Sequence, residues 1–175
     1  SYTSFAIRNC CGRLEKAEGG TQIVVEASVT NVGKLAGKEV VQLYYSAPQG
    51  RLGKPARALG AFAKTRCLQP GETQQVTLRL AADSMASYDD TGKIAKSAYV
   101  MEAGEYRFYL GNSVRNTEKV SFVYKEEADR VVLVLKERVA PRQLAKRMLA
   151  DGSFEELPVQ AECKAERFPG FVEGN

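Results

Sequence analysis

The stretch Ser28-Val-Thr-Asn-Val-Gly-Lys-Leu-Ala-Gly-Lys-Glu-Val-Val-Gln-Leu-Tyr44 decides the fold of this chain. Apolar residues alternate with polar ones from Ile23 to Val29, and the alternation resumes from Val41 to Tyr45. A period of two on both sides of a polar connection is typical of half-buried β-strands. The sequence therefore predicts two strands here, with a turn at residues 31–33 after the first.

The same alternation recurs in six more short runs before residue 125. They lie at residues 2–9, 59–64, 76–80, 98–101, 106–110 and 120–124. Gly, Pro, Asn and Asp separate the runs, with tight turns expected at 69–72 and 89–92 and one helical turn at 81–87. Many short strands with hardly any helical periodicity predict an all-β fold of two antiparallel sheets packed as a sandwich.

The composition changes after Tyr124, and we expect a domain boundary there. Residues 125–130 read as a charged linker, 131–135 as an apolar strand, and 141–150 as a short helix with Pro141 in its first turn. Phe168 and Phe171 have no local apolar neighbours, so we expect them to dock elsewhere or stay disordered. The prediction is a β-sandwich over residues 1–124 and a C-terminal strand-helix extension over 125–175.

Charge and cysteine usage limit the possible partners and compartments. The 25 basic and 21 acidic residues give a net charge of +4 and are scattered, so neither nucleic acid nor a membrane is indicated as a partner. The chain begins directly on a strand pattern and not on a signal peptide, which we expect of a piece cut from a longer protein. Its four cysteines match no metal or redox spacing, and no glycosylation acceptor occurs, so we expect free thiols and a cytoplasmic location.

Several classes of chemistry are excluded by residues that the chain lacks. It has no His, which removes histidine-dependent catalytic triads and histidine metal sites. It has neither a Walker loop nor a G-x-G-x-x-G loop, so no nucleotide cofactor is predicted, and no metal site is predicted either. Asp89 and Asp90 form an acidic pair in a predicted turn, where neighbouring side chains diverge, so we expect a turn or capping role.

The stretch from Val29 to Tyr44 resembles a run that is a hallmark of the fibronectin type III-like domain of family-3 glycoside hydrolases, V-T-N-x-G-x-x-A-G-x-E-V-V-Q-L-Y. Further segments resemble the motifs of that domain in the same order: Ser1-Tyr-Thr-Ser-Phe5, Lys54-Pro55 with Leu59-Gly-Ala-Phe-Ala-Lys64, Leu68-Gln-Pro-Gly-Glu-Thr73, Asp83 with Tyr88-Asp89, Glu102-Ala-Gly-Glu-Tyr106 and Leu110-Gly-Asn-Ser113. The chain departs from the pattern by an extra Ala61, by the absence of Trp, and by Ala103 where Pro is common.

This resemblance implies an immunoglobulin or fibronectin type III-like antiparallel β-sandwich, and a role without catalysis. In the family, the nucleophilic Asp comes from a (β/α)8 barrel and the acid/base carboxylate from an α/β sandwich domain, and neither motif occurs in this sequence. The implied function is an accessory, interdomain module of a β-glycosidase of the β-glucosidase type, with the catalytic domains as partners and no enzyme activity of its own. The strand and helix predicted between residues 131 and 150 are similar to the connector of members with a permuted domain order. The alternative is an independent carbohydrate-binding module whose partner is a glycan.

The loop of residues 49–57 is the candidate binding site. It carries the cations Arg51, Lys54 and Arg57 among glycines and prolines. Loops on a rigid scaffold often carry binding contacts, so these cations could reach a neighbouring domain or the rim of a glycan site. A solvated basic loop is the alternative. We expect the tyrosines in the strands to be core residues or cross-strand pairs more often than a sugar-stacking face.

Overall fold

The computed structural model describes residues 3–54 and 56–132. Ten β-strands and a short 3-10 helix, Ala82–Met85, make up most of this part. The strands are β1 (Phe5–Ala17), β2 (Gly20–Asn31), β3 (Val40–Ser46), β4 (Ala58–Lys64), β5 (Thr73–Ala81), β6 (Ser87–Asp89), β7 (Ala98–Met101), β8 (Gly104–Ser113), β9 (Asn116–Glu126) and β10 (Arg130–Val132). All paired strands are antiparallel, which confirms the predicted all-β antiparallel fold.

The strands form three sheets. The first sheet has the order β1-β2-β5, the four-stranded sheet has the order β4-β3-β8-β9, and a small third sheet has the order β10-β7-β6. The two strands of the deciding stretch, β2 and β3, therefore lie in different sheets. The connection between them crosses from one sheet to the other.

Asn31 organises this crossing. Its side chain is fully buried, and its amide nitrogen donates to the carbonyl oxygens of Leu35 at 2.8 Å and Leu68 at 2.9 Å. Its amide oxygen accepts hydrogen bonds from the backbone N–H of Gly33 at 2.9 Å and the hydroxyl of Thr3 at 3.0 Å. A buried amide whose donors and acceptor are all hydrogen-bonded stabilises a single conformation of the connection. This explains why the predicted turn begins at Asn31.

One apolar core is shared by the two larger sheets. Alternate residues of β2, β3, β5 and β8 point into this core and are buried. The main contributors are Ile23, Val25, Val29, Val41, Leu43, Val76, Leu78, Leu80, Tyr106, Phe108 and Leu110. One core between two sheets is the packing expected of a β-sandwich.

Two irregularities in the strands bear on the sequence predictions. The register of β3 with β4 shifts between Leu43 and Tyr44, where Gly60 has no directly opposite residue, so a β-bulge lies beside the extra Ala61. The first strand was predicted to end at Asn9 but runs on to Ala17, past a register shift after Arg8. Asn9 has a φ of 57° there, which breaks the alternation that the sequence pattern relies on.

The predicted C-terminal extension is described only at its start. Val131 and Val132 of the predicted apolar strand lie in β10, which pairs with β7. The rest of that strand, the helix predicted at 141–150, and Phe168 and Phe171 lie outside the described residues. The boundary predicted at Tyr124 stays a prediction, although β9 continues to Glu126.

The cysteines only partly meet the expectation of free thiols. Cys10 and Cys11 are free, as expected. Cys67 is disulfide-bonded, so the expectation is wrong at that position. Within residues 3–54 and 56–132 there is no helix with the length and apolar character needed to cross a membrane.

Candidate functional site

The 49–57 loop is anchored on Glu102, at the turn between β7 and β8. The Glu102 carboxylate is 4% exposed and forms an ion pair with Lys54, whose side chain is also 4% exposed. It accepts backbone hydrogen bonds from Arg51 at 2.7 Å and Leu52 at 3.4 Å. The Lys54 ammonium also donates to the carbonyl oxygen of Pro48 at 2.7 Å. The loop is therefore held to the sheet through one carboxylate.

The charge state of Glu102 follows from these contacts. Burial alone would raise the pKa of this carboxyl, but the hydrogen bonds from Lys54 and the Arg51 and Leu52 backbone, with the lysine charge, outweigh it and lower the pKa below its usual range. Glu102 is thus ionised at neutral pH. A buried carboxylate is tolerated here because a cation and two backbone donors satisfy it.

Arg51 places its cation on the surface. Its side chain is 60% exposed, and its guanidinium donates to the carbonyl oxygen of Lys93 at 3.2 Å and to Asp129 at 2.9 Å. Asp129 also accepts the backbone N–H of Ala103 at 2.9 Å. These bonds tie the loop to the turn between β9 and β10 while most of the guanidinium meets solvent.

Arg57 lies across the outer face of the four-stranded sheet. Its guanidinium carbon is 3.7 Å from the ring centroid of Tyr109, and it donates to the Thr117 hydroxyl at 2.8 Å. Stacking of this kind is a favourable cation–π contact. The face of Tyr109 is consequently covered by a residue of the same chain.

A second polar cluster is centred on Arg130, the residue after Asp129. The Arg130 guanidinium contacts Asp83 at 2.8 Å and Glu126 at 2.8 Å, and the Tyr124 hydroxyl donates to Glu126 at 2.7 Å. Burial, followed by the hydrogen bond and negative charge of Glu126, raises the pKa of Tyr124 to about 12. The cluster joins the 3-10 helix, β9 and β10.

Four backbone N–H groups donate hydrogen bonds to the Asp89 carboxylate. It accepts hydrogen bonds from the N–H groups of Gly92 at 2.9 Å, Lys93 at 3.0 Å, Ile94 at 2.6 Å and Ala95 at 2.7 Å. Burial disfavours the charged form, but the four donors outweigh it and lower the pKa of Asp89 to about 2. The predicted turn role is confirmed for Asp89.

The tyrosines pair across strands, as expected. Tyr106 lies opposite Tyr124 with the ring centroids 5.9 Å apart, and Tyr88 lies opposite Tyr99 with the centroids 5.1 Å apart. Such contacts stabilise a sheet. These four tyrosine rings therefore have partners within the chain, and no sugar is needed to explain their positions.

The structure separates the three predicted site residues. Lys54 is buried and pairs within the chain, whereas Arg51 and Arg57 are at the surface, and whether they bind a partner stays a prediction. Sequence reasoning missed Glu102, although a carboxylate directly after the buried pair Val100-Met101 signals a need for a partner. In the part of the chain that the structure describes, no group of three or more His, Cys, Asp or Glu residues could hold a metal ion.

Comparison with known proteins identifies a matching domain family and similar sequences. Residues 39–114 match the model of the fibronectin type III-like domain. Beta-glucosidase A of Butyrivibrio fibrisolvens is 57% identical over 136 residues, which are 78% of this chain and 16% of that protein. A beta-glucosidase of Ruminococcus albus is 42% identical over 98% of this chain and 18% of that protein.

A solved structure agrees with these relatives. The crystal structure of a beta-glucosidase from Paenibacillus barengoltzii superposes with a TM-score of 0.72 at 54% identity, over 77% of this chain and 15% of that one. The chain therefore spans less than a fifth of the length of each of these three proteins.

Proposed function

This chain carries the fibronectin type III-like domain of a family-3 glycoside hydrolase of the β-glucosidase type, and we propose that it is a non-catalytic interdomain module. Its work is to hold the catalytic domains of the parent enzyme in their relative positions. The parent hydrolyses β-linked glucosides in this proposal. Those catalytic domains are the partners of the module.

The observation that carries the proposal is the share of the relatives that the chain covers. Two relatives and one solved structure are named beta-glucosidases, and the chain corresponds to only 15–18% of their length. Retaining glycosidases need two carboxyl groups about 5 Å apart that flank the sugar. Asp89 and Glu102 are instead engaged by backbone N–H groups and a lysine, which supports a structural role for both.

The β-sandwich suits this work because its 49–57 loop is held at a defined position by the Lys54–Glu102 ion pair. We propose that the 49–57 loop reaches the rim of the parent's active site and that Arg51 is the residue that makes contact there. Its guanidinium is 60% exposed, while Lys54 and Glu102 hold the loop beneath it. Anchoring of this kind reduces the entropy that the loop would lose on contact.

The loop role is tested with Arg51→Ala in a longer polypeptide that includes the neighbouring domains. Loss of one charged hydrogen bond at the rim, worth about 1.5–3 kcal/mol, should raise KM for an aryl β-glucoside about tenfold or more with kcat little changed. The matched control is Arg115→Ala, since Arg115 is also exposed but lies in the β8–β9 hairpin, at the other end of the sheet. Equal KM values for both variants would refute the contact at the rim.

Glycan affinity of the isolated chain separates this function from a carbohydrate-binding module. Calorimetric titration with cello-oligosaccharides and xylo-oligosaccharides should give no saturable heat, because Arg57 already covers Tyr109, and Tyr88 pairs with Tyr99 and Tyr106 with Tyr124. A saturable isotherm at millimolar ligand or below would replace the structural module with the binding module.

A further inference from the structure

The guanidinium of Arg51 is held by a carboxylate whose own position is defined. Asp129 lies in the turn between β9 and β10, and its Oδ2 accepts a hydrogen bond from the Arg51 guanidinium at 2.9 Å. Its other oxygen, Oδ1, accepts the backbone N–H of Ala103 at 2.9 Å. Because one oxygen is bound to the backbone, the carboxylate cannot rotate without losing that hydrogen bond. Arg51 therefore meets an acceptor that is already oriented.

Regular structure places Asp129 in turn. The next residue, Arg130, begins β10 and lies opposite Met101 of β7. The Arg130 guanidinium donates to Asp83 at 2.8 Å and to Glu126 at 2.8 Å. A strand pairing and two charged hydrogen bonds thus fix the residue that follows Asp129. Groups held by strands are positioned more precisely than groups on loops.

Two carboxylates hold different parts of Arg51. Glu102 accepts the Arg51 backbone N–H at 2.7 Å, whereas Asp129 accepts the guanidinium. The two carboxylates are linked, because Ala103, which donates to Asp129, directly follows Glu102. Gly50 permits the close approach of the loop, since a Cβ there would lie 2.5 Å from the Glu102 Oε2 atom. Removal of one carboxylate should therefore release one part of Arg51 and leave the other part held.

The ion pair between Arg51 and Asp129 is exposed enough that it should contribute little to the stability of the fold. The Arg51 side chain is 60% exposed and that of Asp129 is 30% exposed. Ion pairs that meet solvent are screened, and their side chains lose entropy when they are held together. A guanidinium also has more N–H donors than the contacts to Asp129 and to the Lys93 carbonyl oxygen use. The pair thus restricts the rotamers of Arg51 while donors remain for a partner.

We propose that Asp129 is a positioning residue that holds the Arg51 guanidinium in the conformation that contacts the rim of the parent's active site. The inference rests on the proposed contact of Arg51 at that rim. An arginine that is ordered before contact loses less side-chain entropy on contact, and this favours binding. Because Asp129 directly precedes β10, the conformation of Arg51 also depends on the pairing of β10 with β7.

The substitution Asp129→Asn separates the positioning role from the fold. Asparagine has nearly the same size, and its carbonyl oxygen can still accept the Ala103 N–H. Its NH2 group cannot accept a hydrogen bond from Arg51. In the full chain, the order parameter of the Arg51 Nε–H group, measured by NMR relaxation, should fall toward that of the exposed Arg115. An equal order parameter in the variant and in the unchanged chain would overturn the proposal.

The backbone of the loop provides the matched control for this measurement. Hydrogen exchange of the Arg51 and Leu52 amides should be the same in Asp129→Asn as in the unchanged chain, because Glu102 still accepts both N–H groups. A large increase in their exchange would show that Asp129 holds the whole loop, and it would overturn a role confined to the guanidinium.

Kinetics of the longer polypeptide that includes the neighbouring domains test the consequence for binding. Without Asp129, the Arg51 side chain can occupy all three staggered χ1 wells, so the contact conformer falls to about a third. KM for an aryl β-glucoside should then rise about threefold with kcat little changed. Addition of Asp129→Asn to Arg51→Ala should raise KM no further. The control Glu105→Gln, which removes an exposed carboxylate from its pair with Arg107, should leave KM unchanged.

Failure of this inference and failure of the proposed function give different results. If Arg51→Ala raises KM and Asp129→Asn does not, the contact at the rim stands and the positioning role is overturned. A lower KM in Asp129→Asn would also overturn it, because the carboxylate would then compete with the partner for Arg51. If Arg51→Ala and Arg115→Ala give equal KM values, the contact at the rim is refuted, and the positioning role falls with it.

Discussion

At the scale of single residues, the ion pair between Lys54 and Glu102 decides how the 49–57 loop is held. Both side chains are 4% exposed, so neither is solvated if the other is removed. A buried charge without its partner is far more costly than the pair itself is stabilising. The ion pair therefore stabilises one position of the loop on the sheet.

The substitution Glu102→Gln should reduce the free energy of unfolding by roughly 3–5 kcal/mol, because it leaves the Lys54 ammonium buried without a countercharge. Urea unfolding measures the change. The double variant Lys54→Met with Glu102→Gln should recover part of the loss. The matched control Glu105→Gln removes an exposed carboxylate that pairs with exposed Arg107, and should change the value by less than about 0.5 kcal/mol. Equal losses of unfolding free energy at positions 102 and 105 would contradict this role of the ion pair.

Asp89 makes stability depend on acid pH. Its folded-state pKa of about 2 lies below the ordinary value of 3.8, so its contribution is complete above about pH 4 and is lost as the pH falls to about 2. The urea concentration at the midpoint of unfolding should therefore decrease as the pH is lowered from about 4 to about 2. In the Asp89→Asn variant this decrease should be smaller. Because other carboxylates also titrate there, the difference between the chain and the variant is the quantity to measure.

The neighbouring substitution Asp90→Asn is the control for this pH dependence. Asp90 is exposed and Asp89 is buried, although the two are adjacent in sequence. The pH profile of Asp90→Asn should follow that of the unchanged chain. A profile as flat as that of Asp89→Asn would mean that the four backbone hydrogen bonds at Asp89 are not its source.

At the scale of elements, the irregular pairing at the end of β8 depends on glycine. Gly111 lies where the register of β8 with β9 is irregular, and a Cβ there would be 1.9 Å from the carbonyl oxygen of Asn116. Gly111→Ala should therefore lower the free energy of unfolding by roughly 1–3 kcal/mol, as overpacking does. Gly19→Ala is the control, because a Cβ at Gly19 would have no other atom within 4 Å. Similar urea midpoints for the two variants would contradict this account.

The strands were largely predictable from alternation, whereas their pairing was not. Alternate apolar residues in β2, β3, β5 and β8 correctly predicted both the strands and their core-facing side chains. A period of two encodes which face is buried but not which strand lies alongside, so the separation of β2 and β3 into two sheets was out of reach. The second half of β1 was missed because the irregularity after Arg8 interrupts the pattern.

At the scale of the whole molecule, the candidate site could be predicted only as a basic loop. The sequence marks Arg51, Lys54 and Arg57 equally, since each is a cation among breakers. Their separation into one buried and two surface cations depends on Glu102 and Tyr109, which are about fifty residues away along the chain. Contacts over such separations arise from tertiary packing, which local patterns do not encode.

The central claim is that this chain is a structural piece of a glycosidase and contributes no catalytic group. The most direct test is the rate of aryl β-glucoside hydrolysis by the chain alone, measured beside a longer polypeptide that includes both neighbouring domains. If the chain is a structural module, the longer polypeptide should turn the substrate over and the chain alone should show no rate above the buffer blank. Hydrolysis by the chain alone, abolished by substitution of one of its own carboxylates, would contradict it.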